Sequence, residues 1–439
     1  MKRIVCTSVL FLLMSLSVFS QEFDTTKIDS LFTSLDNHDY FMGSVALSHK
    51  GNPIYNKAIG YTDVENEQKT NIRTKFRVGS ITKMFTAVLT FMAIEDGKIE
   101  LEQTIDTFFP SLKNARKITI GNLLNHRSGI ANVTSRPDYL LWNTQPKTRE
   151  QLLELIEQSG SVFEPNSKAQ YSNSNYLLLT FLLEDVFKEN YTDLIKNRIS
   201  NPLDLTNTYV GASIVPANNE AFSYNYDSHW NKAFETNMSI PLGAGAIVST
   251  PTDLNTFTTA LYEGRLISKN SLKQMTTFTE GYGMGSFEMP YFDKKGFGHN
   301  GGIDGFTSQL ACFPKDDISV AITSNGSRYG NNDILIAVLA AYYGKSFRLP
   351  NFNTVTVTPK DLEQYLGTYA SKQKKLKVTI TQNDGTLMAQ ATGQSSFPLE
   401  AVEKHAFEFY RAGIRLEFEP ENKTMFLKQG GNTFTYKIE

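Results

Sequence analysis

Ser80-Ile81-Thr82-Lys83 places a hydroxyl and an amine one helical turn apart, at the head of a run whose apolar side chains (Met84, Phe85, Val88, Leu89, Phe91, Met92) cover most sides of a helix. Residues i and i+3 share a helix face, and a hydroxyl beside a proton acceptor can become a nucleophile. A helix apolar nearly all round is a buried one, and Gly97 is the stop expected just past its end. The stretch reads as an activated serine at the start of a central helix. Four residues are a thin signal, because Ser371-Lys372-Gln373-Lys374 repeats the pattern in a Lys-rich polar loop. Taken alone, Ser80 is a helix N-cap.

Upstream of this helix, residues 28–35 are amphipathic. Residues 45–48 and 54–55 flank Lys50-Gly51-Asn52-Pro53, which predicts a β-hairpin. Downstream, residues 100–270 carry helical patterns at 151–158, 176–187 and 252–262, separated by loops rich in Pro, Asn and Gly. Three strands are predicted at 297–299, 308–313 and 318–324. Pro314-Lys315-Asp316-Asp317 joins the last two, making them antiparallel. A helix over 333–343 follows, with Gly344 to end it.

Composition changes beyond that point. Residues 346–360 hold Pro350, Pro359 and a run of Asn and Thr, as a linker would. From Leu376 the pattern alternates through Val378 and Ile380, turns at Asn383-Asp384-Gly385 and resumes as far as Ile438, predicting a small antiparallel β domain over residues 361–439. The fold class is α+β, with residues 21–345 forming the larger unit.

At 439 residues and 40% hydrophobic, the chain has material for one large domain and a smaller one. A net charge of -2 without a long basic run gives no reason to expect nucleic acid as a partner. Lys2-Arg3, an apolar stretch from Ile4 and small residues before Gln21 read as a secretory signal over residues 1–20, short for a bilayer span. An exported protein, periplasmic or extracellular and without an integral membrane segment after cleavage, is expected. Cys6 lies in the leader and Cys312 is left without a disulfide partner. No His, Cys and carboxylate cluster has metal-ligand spacing, so neither a metal nor a cofactor is implied. Oligomeric state is not readable.

Two further groups accompany Ser80 and Lys83: Tyr171-Ser172-Asn173 in a polar loop before a helix, and His299-Asn300-Gly301-Gly302 at a strand end. Each has a copy elsewhere, Tyr329-Gly330-Asn331 and His49-Lys50-Gly51, so order and setting must separate them. His126, in Asn125-His126-Arg127-Ser128-Gly129, reads as structural.

With these blocks in order, residues 25–345 resemble the serine β-lactamase and penicillin-binding protein superfamily. The nearest likeness is to its class C-like branch of D-aminopeptidases, D,D-carboxypeptidases and esterases. The resemblance rests on Phe76-Arg77-Val78-Gly79-Ser80-Ile81-Thr82-Lys83, Leu123-Leu124-Asn125-His126-Arg127-Ser128-Gly129, Tyr171-Ser172-Asn173, Gly243-Ala244-Gly245 with Ser249-Thr250, and His299-Asn300-Gly301-Gly302. It implies a five-stranded antiparallel sheet flanked by helices, an all-helical lobe, and a site between them. The C-terminal domain would be lipocalin-like, as in related peptidases.

The resemblance also implies roles. Ser80 would be the acylating nucleophile and Lys83 its first proton partner, with Tyr171 a general acid or base. Which of Lys83 and Tyr171 deprotonates Ser80 stays open. Asn173 would hold Lys83 or a substrate amide, the N–H groups of Ser80 and Gly302 would form the oxyanion hole, and Gly301 would permit close backbone approach. The implied activity is hydrolysis of amide, peptide or ester bonds in a small-molecule or peptide substrate. A carboxylesterase, a weak β-lactamase or an inactive binding ectodomain are the alternatives. His299 stands where the antibiotic-hydrolysing enzymes usually carry lysine. With an ordinary pKa near ~6.5 it is expected to gate substrate carboxylates by protonation.

Overall fold

The computed structural model describes residues 23–439, so the leader read at residues 1–20 lies outside the described residues. Six antiparallel strands make the central sheet: β1 (Phe41–His49), β2 (Asn52–Ile59), β3 (Phe287–Tyr291), β4 (Lys294–Ile303), β5 (Phe306–Phe313) and β6 (Ile318–Ser327), in the order β3-β4-β5-β6-β1-β2. Early and late chain meet where β1 pairs with β6, from Phe41↔Ser327 to His49↔Ile318. The β1–β2 hairpin turns at Lys50 and Gly51, both at positive φ (51° and 74°), a two-residue turn whose twist matches the strands.

Two strand expectations change. The resemblance implied five strands, and β3 is a sixth, pairing Phe287↔Gly298 to Tyr291↔Lys294 along the outer edge of β4. The predicted strand at 297–299 is longer: β4 continues through Asn300, Gly301 and Gly302, so His299 is a mid-strand residue. Because β3 stops opposite Gly298, the outer edge of β4 beyond it has no strand partner. The 3₁₀ turn Gly79–Ile81 lies there instead: a Cβ on Gly79 would sit 2.7 Å from the Gly302 nitrogen.

Helices cover both faces of the sheet. On one side, α1 (Thr26–Asn37) and α5 (Asn331–Tyr342) bury Ile28, Leu31, Phe32, Leu35, Ile334 and Val338 in one core with Val45, Leu47, Val320 and Ile322. On the other lie α2 (Thr82–Glu95), α3 (Asn173–Phe187) and α4 (Pro251–Glu263). Phe85 of α2 stacks on Phe257 of α4 with ring centroids 3.8 Å apart. Burying side chains of this size contributes about 1.5–3 kcal/mol each. That density fixes the helix that carries Ser80 and Lys83.

After α5, residues 344–358 carry no helix or strand. A closed eight-stranded barrel follows: β7 (Gly367–Ala370), β8 (Val378–Asn383), β9 (Thr386–Ala391), β10 (Phe397–Glu403), β11 (Ala406–Phe409), β12 (Ile414–Glu419), β13 (Thr424–Gln429) and β14 (Asn432–Ile438). Each strand pairs with its neighbour in sequence, and β7 pairs with β14 at Tyr369↔Ile438, which removes the exposed edges an open sheet would leave. Phe352, from the connecting segment, stacks on Tyr40 of the larger unit at 3.8 Å and meets Tyr410 of the barrel at 5.0 Å. Arg328 reaches Glu400 of β10 at 2.8 Å.

Candidate active site

Ser80 lies in the 3₁₀ turn that runs directly into α2, and Lys83 is in the first turn of α2 itself. The i, i+3 spacing brings Lys83 Nζ to 3.0 Å from Ser80 Oγ. Ser80 is half-buried while Lys83 is wholly buried. The amine also reaches Asn173 Oδ1 at 2.7 Å and the Ala244 carbonyl at 2.6 Å. Asn173 is the first residue of α3, and it is oriented by donating from Nδ2 to Thr134 Oγ1 (2.9 Å) and from its N–H to Asn132 Oδ1 (3.0 Å). Ala244 belongs to the Gly243-Ala244-Gly245 block, whose close fit depends on glycine. A Cβ on Gly243 would stand 2.2 Å from Thr180 Oγ1 of α3 and 2.8 Å from Thr86 Oγ1 of α2.

Burial holds the Lys83 pKa well below the ordinary lysine value, because loss of water disfavours the charged form. The amine donates to Asn173 Oδ1 and the Ala244 carbonyl and also lies against Ser80 Oγ, where an uncharged amine can turn its lone pair to the hydroxyl. Tyr171 shifts the other way. Burial raises its pKa above the ordinary phenol value, an effect that its contact with Ser80 only partly offsets, so it is a neutral phenol. Its ring centroid is 4.8 Å from Lys83 Nζ.

His126 belongs to this group, although it reads as structural from residue types alone. Its ring lies against that of Tyr171, tilted by 33°, with centroids 4.4 Å apart. The residue brackets the Tyr171 segment: its carbonyl accepts from the Gln170 N–H (2.9 Å) and its Nδ1 accepts from the Ser172 N–H (3.2 Å). An accepting Nδ1 requires the neutral ring with its proton on Nε2. Burial, then the nearby Lys83 and His299, keep the His126 pKa well below its usual value.

His299 points to the same side of β4, with its ring 6.2 Å from Tyr171 and 4.4 Å from Phe287. It is 2% exposed, and burial, with a smaller effect of Lys83, lowers its pKa to about 3. The expected protonation gate near neutrality is therefore not available: His299 stays uncharged throughout the physiological range. Asn300 differs from expectation as well. Strand alternation turns it away from Ser80, toward a cavity of about 510 Å³ on the far side of the sheet, bounded by the start of α5 and the barrel residues Arg411 and Gln429.

Gly301 and Gly302 adjoin Ser80 in different ways. A Cβ on Gly301 would fall 2.0 Å from the Val78 carbonyl oxygen, so only glycine lets β4 press against the chain entering the Ser80 turn. Gly302 lines a cavity of about 360 Å³ together with Ser80, Asn173, Ala244, Tyr139 and Asp304. Asp304 accepts from Arg77 Nη1 (3.1 Å) and from Thr236, and burial still raises its pKa. Among the described residues, no lysine or arginine lines that cavity. No cluster of three His, Cys, Asp or Glu able to hold a metal occurs among the described residues.

A half-buried serine paired with a buried lysine at the head of a central helix, beside the free edge of an antiparallel strand, defines a β-lactamase-type fold and site. The chain belongs to this family: residues 28–344 match the family described as Beta-lactamase. It is 25% identical to Penicillin-binding protein 4* of Bacillus subtilis, with 92% of this chain and 96% of the relative aligned. It is 26% identical to the Teichoic acid D-alanine hydrolase of Staphylococcus aureus, over 71% of this chain and 75% of the relative. Among solved structures, the D-amino acid amidase from Ochrobactrum anthropi superposes with a TM-score of 0.64 at 26% identity, covering 72% of this chain and 99% of the other. The likeness to hydrolases thus spans sequence and structure.

Proposed function

We propose that the protein is an exported serine hydrolase that cleaves amide, peptide or ester bonds through an acyl-enzyme at Ser80. The observation that carries the reading is the 3.0 Å approach of a buried Lys83 amine to Ser80 Oγ. The free amine takes the hydroxyl proton as Oγ attacks the carbonyl carbon. The N–H groups of Ser80 and Gly302 face the oxygen that becomes negative, where each such donor is worth about 3–4 kcal/mol. The leaving group receives its proton from the Tyr171 phenol, which is refilled from the Lys83 ammonium. Water then releases the acyl group by the reverse relay, its proton passing to Tyr171 while the Tyr171 proton passes to Lys83, and Lys83 returns a proton to Ser80 Oγ as the acyl–Oγ bond breaks.

The lining of the Ser80 cavity favours acyl donors without a carboxylate, since among the described residues no lysine or arginine lines it to pair with one. The hydrolases of D-alanine and D-amino acid amides among its relatives support the same substrate class, a D-amino acyl amide or ester. Export rests on the leader read at residues 1–20, and no helix among the described residues is long and apolar enough to cross a membrane.

Intact-mass measurement after exposure to a fluorophosphonate, D-alanine esters and amides, and nitrocefin tests the reading. One acyl or phosphonyl adduct, absent from Ser80→Ala, is expected. No adduct on the wild type would leave a non-catalytic binding domain, and an adduct surviving Ser80→Ala would overturn the nucleophile.

A further inference from the structure

The barrel is filled at only one end. Tyr365, Tyr369, Ile380, Leu387, Phe407, Phe418 and Met425 pack together as its buried core. Toward the other end the inward positions remain open: Ala389 and Ala391 of β9, Phe409 of β11, Ile414 of β12, Leu427 of β13 and Phe434 of β14 line a cavity of about 330 Å³. Several of these side chains are half-buried: they pack against that core on one side and leave concave apolar surface inside the closed barrel on the other. Eight strands give an interior that is either filled by side chains or holds one small ligand, and this barrel does each in one half. The volume falls at the lower end of the ~300–1,000 Å³ typical of small-molecule pockets.

The mouth has a charge. Lys374 lines the cavity, with Nζ 4.3 Å from the centroid of the Phe434 ring, and it has no carboxylate partner among the described residues. It belongs to the loop Ser371-Lys372-Gln373-Lys374-Lys375, the same stretch that copies the S-x-x-K pattern without its helix. Gln373 of this loop accepts from the Thr435 N–H at 2.9 Å, which ties the lysines to the rim. Lys377 nearby is taken up by Glu439 at 2.7 Å. An apolar cup with one unpaired ammonium at its lip matches a molecule with an apolar tail and an anionic head.

We propose that the C-terminal barrel binds a single medium-length, unbranched acyl chain bearing an anionic headgroup, with the tail between Ala389, Ala391, Phe409 and Leu427 and the head at Lys374. The site is separate from the Ser80 cavity, with which it shares no lining residue.

Calorimetric titration of the full chain with monomeric decanoate and decanol tests this. One equivalent of decanoate should bind, and decanol should bind more weakly. Ala389→Phe fills the cup and should abolish both. Lys374→Ala, at an exposed position where folding is not at risk, should weaken decanoate about fivefold and leave decanol unchanged. Failure of the wild type to bind decanoate, or binding that Ala389→Phe leaves intact in a folded barrel, would overturn the cup. Equal affinity for decanoate and decanol, or no effect of Lys374→Ala, would overturn the headgroup site.

Discussion

Lys83 holds its amine 3.0 Å from the Ser80 hydroxyl and 2.6 Å from the Ala244 carbonyl, so deep that burial keeps its pKa well below the ordinary lysine value. This pairing, with the Tyr171 phenol shifted the other way by burial, supports Lys83 as the acceptor of the Ser80 proton. Removing a positioned base costs about a hundred- to ten-thousand-fold in rate. Lys83→Ala should lower kcat/KM by that amount. Lys83→Arg should not restore it, because a guanidinium stays charged and has no lone pair to offer. Rates on a D-alanine ester, with circular dichroism melts to confirm folding, check both variants.

His299 should leave the pH profile untouched near neutrality. Its pKa of about 3 means that no proton enters it between pH 5 and 8. A carboxylate-bearing ester and its neutral analogue should therefore give kcat/KM profiles of the same shape in that range. A selective loss for the carboxylate substrate between pH 6 and 7 would show that His299 does titrate there.

What the chain displays as a sequence is local. Ser80 and Lys83 are legible because one helical turn sets their spacing, and Asn173 because it starts a helix. The Ala244 carbonyl was not, since a backbone oxygen has no residue type to announce it. His126 reads as structural because its contact with Tyr171 is a ring-to-ring approach between distant segments, which no local spacing displays. Asn300 was misplaced because the glycines after it looked like a strand end, whereas β4 runs through them and period two turns Asn300 away. The edge strand β3 was hidden by Pro290, a residue tolerated there because an edge strand has one unpaired side.

The same histidine should set acid sensitivity. Its folded pKa, about 3, lies below the ordinary value near ~6.5, so the unfolded chain binds the extra proton first. Its neutral, buried form is fully compatible with folding above pH 6.5, and stability falls as pH drops from there toward 3. The loss approaches about 5 kcal/mol at the acid end. His126 acts in the same direction. His299→Gln should flatten this part of the stability curve, shifting the acid unfolding midpoint to lower pH. Urea melts at pH 4 and pH 7 measure the difference.

Gly301 and Gly302 are adjacent but should respond oppositely to one added methyl. At Gly301 a Cβ would lie 2.0 Å from the Val78 carbonyl and 2.3 Å from Ser308 Oγ. Ser308 Oγ itself donates to that carbonyl at 2.8 Å, so neither neighbour can move without breaking the contact between β5 and the Ser80 turn. At Gly302 the nearest atom to a Cβ would be the Phe306 carbonyl oxygen at 3.9 Å, and alanine keeps the N–H offered to the substrate oxygen. Gly301→Ala should cost about 1–3 kcal/mol from overpacking and reduce kcat at least tenfold by displacing Ser80. Gly302→Ala should keep its melting temperature within a few degrees and retain most of its activity. Equal behaviour of the two variants in melts and in ester hydrolysis would mean that β4 is not pressed against the Ser80 turn in solution.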